Sequence, residues 1–390
     1  MMRANHSRIT KETARRLKVL ALAPYPEEAA STRFRIAQFV PLLDELGITC
    51  ELKPFIDAAL FKRLYRKDRL ARNALGIAWA AMKRGVDLLS VSDYDVVFVQ
   101  REAALIGPPL VERAINGWFK KPLVLDLDDP LWVQYTSPVY GHVASRLRCL
   151  DKTSELIRRA AHIVCGNTFI AEYVRDAGAT ATVLPTIVDT DTFSPRQNES
   201  DSEPPTIGWI GTHTTLPYLE AIAPTLEQLA ARRRFKLKVV GGARSLNLRG
   251  VEVEELAWSL DREVEGFRSL DIGLYPLADD EWSRGKSGFK AIQYLCCGVP
   301  FVASPVGVVR DIAIESGAAL LASSNAEWLA ALDRLLADAI LRRSMGRAGR
   351  SFALSRYCLA AQAAQLGEIL FAAAAQRRTA DAVAVHGYNR

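Results

Sequence analysis

At 390 residues the chain is too long for one ordinary core, and a division into two domains is expected. Apolar residues make up 49% of it and charged residues 24%, which excludes extensive disorder. The formal net charge of +6 permits an anionic partner, a nucleotide or a lipid surface, without demanding one. No nucleic-acid partner is expected.

Residues 1–16 form a polar, basic tail with no apolar core, unlike a secretory signal. From there, short apolar runs alternate with longer helical patterns, the mark of parallel sheets covered by helices. The first half offers strands at Lys18–Ala23, Ile48–Lys53, Asp95–Gln100, Pro122–Asp126, His162–Cys165 and Thr182–Leu184. Helices are expected at Arg33–Leu46 and Arg146–Ala161, among others. Strand one ends in Ala-Pro-Tyr-Pro, which stops the ladder and opens a loop. The segment Phe61–Arg84 is strongly basic, with Phe61, Leu64, Leu75, Trp79 and Met82 interleaved. Such a helix suits an anionic membrane surface, or equally a domain face with one wet side.

The run from Arg196 to Pro205 is polar, charged and Pro-terminated, and reads as a linker. Beyond it the alternation restarts, with strands at Thr206–Gly211, Lys236–Gly241, Leu270–Tyr275, Pro300–Ala303 and Ala318–Leu321. Helices are expected at Leu216–Arg233, Ser287–Cys297, Ala326–Ala337 and Ser355–Ala375. The resulting division is a first domain over 17–200, a second over 201–355, a helix over 356–375 returning to the first, and a tail over 376–390. No stretch approaches the roughly 20 continuous apolar residues of a membrane span. The six cysteines lack metal-ligand spacing and have apolar neighbours, as buried thiols of a reducing compartment would. A cytoplasmic protein is expected, with peripheral contact at the inner face of the membrane left open.

Ligands of open parallel sheets bind beyond the carboxyl ends of the strands, so the loops there carry the chemistry. Gly211-Thr212-His213 opens a helix and offers backbone N–H groups to an anion, or is a plain helix start. In the segment from Arg284 to Pro300, Lys286, Lys290 and Gln293 share one helix face, while Gly285 and Gly288 permit close backbone approach. With Ser287 and Phe289 they would suit a diphosphate with a ribose beyond it; a solvated basic face is the plainer alternative. In the first domain, Arg33 and Arg35 could meet donor phosphates or an anionic acceptor, or be solvated. Asp126-Leu127-Asp128-Asp129 closes a strand, where carboxylates orient sugar hydroxyls, accept a proton or cap a turn. No G-x-G-x-x-G follows the first strand, which disfavours a nicotinamide enzyme.

The run "RGKSGFKAIQYLCCGVPFVASPVGVVRDI" resembles the donor-binding segment of family-4 glycosyltransferases, and "LPTIVDTDTFSP" resembles that family's passage between domains. "MGRAGR" and Tyr357 are similar to its C-terminal pattern. The resemblance implies the GT-B architecture, two Rossmann-like domains facing each other across a cleft with a C-terminal helix crossing back. It implies transfer of a sugar from a nucleotide diphosphate sugar, with retention, to a glycan or lipid-linked acceptor. Gly211, Thr212, His213, Arg284, Lys286, Ser287, Gly288, Phe289, Lys290 and Gln293 would bind the donor, and Asp128, Asp129 and Lys290 would act in catalysis. No metal or cofactor is implied, since cations and helix dipoles would hold the leaving diphosphate. The chain departs from the family at its paired glutamates, which correspond to Gly285 and Gln293, and at a basic pair replaced by Thr212-His213-Thr214. A donor-binding scaffold and a nucleotide-sugar epimerase therefore stay open as alternatives.

Overall fold

The computed structural model describes residues 15–64, 67–133, 151–197, 203–242 and 244–387. Two six-stranded parallel sheets form, ordered β2-β1-β3-β4-β5-β6 and β12-β11-β10-β7-β8-β9. The first comprises β1 (Leu17–Ala23), β2 (Ile48–Pro54), β3 (Val96–Gln100), β4 (Leu123–Leu127), β5 (His162–Cys165) and β6 (Ala181–Val183). The second comprises β7 (Thr206–Ile210), β8 (Lys236–Val240), β9 (Glu252–Leu256), β10 (Ile272–Tyr275), β11 (Phe301–Ala303) and β12 (Ala319–Leu321). The central strands β3, β4 and β7 are buried at every position, as strands with both faces covered must be.

Strand order reverses between β1 and β3 in the first sheet and between β7 and β10 in the second. Each reversal leaves a crevice at the carboxyl ends of the strands, the place where such sheets take ligands. Several expected helices are divided. Arg33–Leu46 becomes helices Ala30–Arg35 and Val40–Glu45, interrupted at Ile36 (φ −130°), with Pro41 in the first turn of the second. Leu216–Arg233 becomes Leu216–Ala221 and Ala223–Ala230, because Pro224 cannot donate to the preceding turn but fits a helix start. Of Arg146–Ala161, Lys152–Arg159 is helical, and 146–150 lie outside the described residues. Residues 198–202 of the expected linker also lie outside them.

The C-terminal run is two helices, Ala339–Arg356 and Leu359–Gly387, parted at Tyr357. Ala363, Leu366, Leu370 and Ala373 of the second pack with Val19, Phe98 and Val124 of the first sheet, so the chain does return to its first domain. Taken as one run, 339–376 is long and apolar enough to cross a membrane by length and composition. That corrects the expectation that no stretch would be; the apolar face is instead spent on the first-domain core. Cys165, Cys296 and Cys297 are buried, whereas Cys50 is half-buried and Cys358 exposed, contrary to expectation; Cys149 lies outside the described residues.

Candidate functional site

The two crevices face each other and enclose a cavity of about 780 Å³. Tyr25 after β1, Arg101 after β3 and Asp129 after β4 line one wall. Gly211, Thr212, Thr214 and Thr215 after β7, Tyr275 of β10, and Lys286, Ser287, Phe289 and Lys290 line the other. A smaller cavity of about 320 Å³ lies at the amino ends of β10 and β11. Its guanidinium groups already serve structure: Arg196 pairs with Asp271 at 2.8 Å, and Arg268 and Arg350 donate to backbone carbonyls.

The second-domain wall is shaped by backbone that only glycine tolerates. Gly288 precedes helix Phe289–Cys296 with φ +67°, and a Cβ there would meet Ile312 at 2.8 Å. A Cβ on Gly285 would lie 2.4 Å from Pro130 of the first domain, so the two domains touch at this turn. Asn167 holds the turn from across the cleft. Its Oδ1 caps helix Thr168–Asp176, and its Nδ2 donates to the carbonyls of Gly285 (2.8 Å) and Lys286 (3.0 Å). Trp132 Nε1 donates to Glu281 at 3.2 Å, and Phe34 meets Phe289 at 4.7 Å between ring centroids.

Lys290 Nζ donates to Gln293 Oε1 at 2.9 Å, Gln293 Nε2 donates to Glu263 at 3.3 Å, and Glu263 pairs with Arg33 at 2.6 Å. This chain of contacts runs from the cavity floor to the first domain. Lys290 opens onto the cavity yet lies deep below the outer surface, and burial lowers its pKa to about 8 against the pull of Glu263. Lys286 sits 5.7 Å from the Trp282 ring, and burial lowers its pKa as well. Among the described residues neither ammonium forms an ion pair.

The first-domain wall is neutralised internally. Arg35 is buried against Asp126 and also donates to the Leu184 carbonyl. Arg101, with the unusual φ of +57°, makes a two-pronged contact with Asp128 (2.5 and 2.7 Å) and reaches Asp129. Burial alone would raise the Asp128 pKa, but the charge and hydrogen bonds of Arg101 hold it below the usual carboxylate range.

Lys286, Ser287, Phe289, Lys290, Gly211, Thr212 and Asp129 therefore share one cavity, as the sequence suggested they could. Others are placed differently. Arg35 is a core ion pair instead of a cleft residue, and Arg284 turns to solvent and pairs with Asp279 at 2.7 Å. Asp128 stands behind Arg101, Gln293 behind Lys290, and Arg33 is engaged by Glu263; His213 and Gly288 frame the loops without lining the cavity. Sequence reasoning missed Arg101, although it directly follows β3 and the loop-after-strand rule would have found it. It missed Glu263, whose helix Glu263–Arg268 follows a strand that was not anticipated, and Asn167, which sits in the loop after β5.

Residues 204–338 match the family described as glycosyl transferases group 1. No curated protein sequence matches the chain. Sucrose-phosphate synthase from Thermosynechococcus elongatus is similar over 92% of this chain and 100% of its own, with TM-score 0.64 and 15% identity. A glycosyltransferase from Rickettsia africae gives TM-score 0.66 at 12% identity over 92% and 99%. Anabaena HepE, solved in complex with UDP, gives 0.60 at 14% over 92% and 100%. At these identities the likeness shows the fold, which is the two-domain GT-B arrangement.

Proposed function

We propose that this chain, GT-B in fold and matched over most of its second domain to the group 1 glycosyl transferases, moves a sugar from a nucleotide diphosphate sugar to an acceptor hydroxyl. The observation that carries the reading is the pair of half-buried ammonium groups, Lys286 and Lys290, in the cleft at the switch points of both sheets. A diphosphate placed there would supply the ion-pair partner that neither lysine has among the described residues. The bond from the anomeric carbon to the diphosphate oxygen breaks, and a bond to the acceptor oxygen forms. With retention, the departing diphosphate oxygen takes the acceptor proton on the same face of the sugar. Holding the negative charge on that oxygen and aligning the two substrates supply most of the acceleration. Asp129, on the cavity wall, orients sugar hydroxyls, while Arg101 and Asp128 position it. Glu263 supplies the carboxylate that the segment around Gln293 lacks, one hydrogen bond removed.

In this reading the enzyme needs no metal or cofactor, works in the cytoplasm and serves bacterial glycan or polysaccharide synthesis. Gln293, standing where the resembled family has a glutamate, favours a second reading, a scaffold that binds the donor without turning it over. Incubating the purified chain with a panel of labelled nucleotide sugars, with and without a lipid extract, separates the two. Transfer with release of nucleoside diphosphate and an unchanged anomeric configuration is the expected result. Binding without turnover would establish the scaffold, and isomerised donor an epimerase.

A further inference from the structure

Helix Leu70–Asp87 is amphipathic in the inverted sense. The face it buries carries Asn73, which donates to the carbonyls of Arg63 and Leu64, and Arg84, which donates to those of Ala103 and Lys53. The face it shows to solvent carries Leu75, Trp79, Met82 and Val86, exposed by 73, 67, 60 and 64%. Their spacing of four, three and four residues aligns them in one stripe, and Leu89 (78% exposed) follows in the next turn. A helix packed only for its own domain would place these residues inward. Arg72 and Lys83 stand exposed along one flank of the stripe, and no acidic residue occurs between Leu70 and Val86. Over Phe61–Arg84 eight basic residues meet one acidic residue, Asp68.

We infer that this face docks on an anionic membrane surface and that the acceptor is an amphiphile entering the cleft from that surface. The apolar stripe flanked by cations is what an in-plane interfacial helix needs, with Trp79 at headgroup level. A two-fold contact between copies would bury the same stripe but bring the cations of one helix against those of the other, which disfavours that occupant. The acceptor class rests on the glycosyltransferase reading; the docking surface does not. The other side of the same helix lines the cavity through Leu70, Asn73, Ala74 and Ile77. Leu70 and Ala74 are also exposed, so the cavity opens beside the first two turns. Leu105 and Ile106 continue an apolar lining there, suited to the hydrocarbon neighbouring a reactive hydroxyl.

The test is flotation of the full chain with vesicles of mixed phosphatidylglycerol and phosphatidylcholine, against phosphatidylcholine alone. The chain should float with the anionic vesicles, less so at high salt. The double variant Trp79→Glu/Met82→Glu should lose roughly tenfold or more in partitioning, while circular dichroism and UDP affinity by calorimetry stay unchanged. A chain that stays at the bottom of the gradient, or a variant that floats as well as the parent, overturns the inference. So does a dimer by sedimentation equilibrium that the variant dissociates, since a second copy would then own the face. Flotation of a chain that transfers no sugar would leave the docking surface in place and remove the reading of the cleft.

Discussion

On the first-domain side of the cleft three guanidinium groups already have their anions: Arg35, in the core behind the wall, holds Asp126, Arg101 holds Asp128 and Asp129, and Arg33 reaches across to Glu263. On the second-domain wall Lys286 and Lys290 form no ion pair among the described residues: aromatic rings and an amide oxygen are in contact with them, and the carboxylates of Asp129, Asp280 and Glu263 act on them from farther off. Both walls place cations in a low-dielectric setting, yet one satisfies them within the fold and the other does not. Planar guanidinium groups suit two-pronged carboxylate contacts that fix a wall, whereas a lysine titrates readily and can await an anion. The arginines accordingly belong to the architecture and the lysines to the ligand.

The sharpest way to break that contrast is to remove one anion from the first wall. Asp126→Ala leaves the Arg35 guanidinium buried without its partner, and loss of one member of a buried pair costs about 3–5 kcal/mol. Urea unfolding of the variant should show a loss of that order. A midpoint equal to the parent's would mean that the Arg35–Asp126 pair does not hold the wall together. Lys290→Ala tests the other wall and should behave oppositely. Stability should hold or rise, since burial disfavours the ammonium, while kcat/KM falls roughly tenfold to hundredfold for a charge-assisted contact of about 1.5–3 kcal/mol. Unchanged kcat/KM in a folded variant would show that the lysine faces no phosphate.

The pKa of about 8 sharpens this into a pH effect. A diphosphate binds the protonated lysine, so nucleotide affinity should be level below pH 8. Above it, affinity should weaken by up to about tenfold per unit until the pKa of the complex is reached. The sign for stability is the reverse. The folded pKa lies below the ordinary 10.5, so the destabilisation is full below about 8 and fades as pH rises toward 10.5. Calorimetric titration of UDP across this range, with Lys290→Arg as the control that stays charged, checks the first statement. An equal slope in both proteins would assign the titration elsewhere.

Much of this was legible before any coordinates, because parallel strands buried on both faces are written as runs such as Leu17–Ala23. Strand β9 was not, since its Glu-Val-Glu-Glu-Leu lies on the exposed edge of its sheet and carries no core pattern. With β9 went Glu263, which the fold brings to Gln293 across 30 residues of chain. Lys286 and Lys290 could be read together because they are four residues apart, a local relation; the helix expected to carry both, however, begins at Phe289, and Lys286 lies in the turn before it, so it does not share a helix face with Lys290 and Gln293. Arg35 was misread for the converse reason: an arginine in the first turns of a helix looks solvated until Asp126, 91 residues away, is seen beneath it. The inverted helix Leu70–Asp87 was readable as amphipathic, but not as to which face would point outward.

The smallest effect expected is from chelation, and it bears on both walls at once. Asp126-Leu127-Asp128-Asp129 has the spelling of a divalent-metal site, and in other settings carboxylates so spaced do hold Mg²⁺ or Mn²⁺. Here Arg35 occupies the oxygens of Asp126, and Arg101 those of Asp128 and one of Asp129. A metal would have to displace two guanidinium groups that hold the wall. The charge of a leaving diphosphate is met instead by those lysines and the start of helix Phe289–Cys296. Transfer assayed in excess EDTA should therefore proceed at the untreated rate, and added Mg²⁺ should leave it unchanged. Activity that vanishes on chelation and returns with Mg²⁺ would mean that the arginines yield to a metal in the working enzyme. The contrast between a satisfied wall and a waiting one would then fail at its first-domain side.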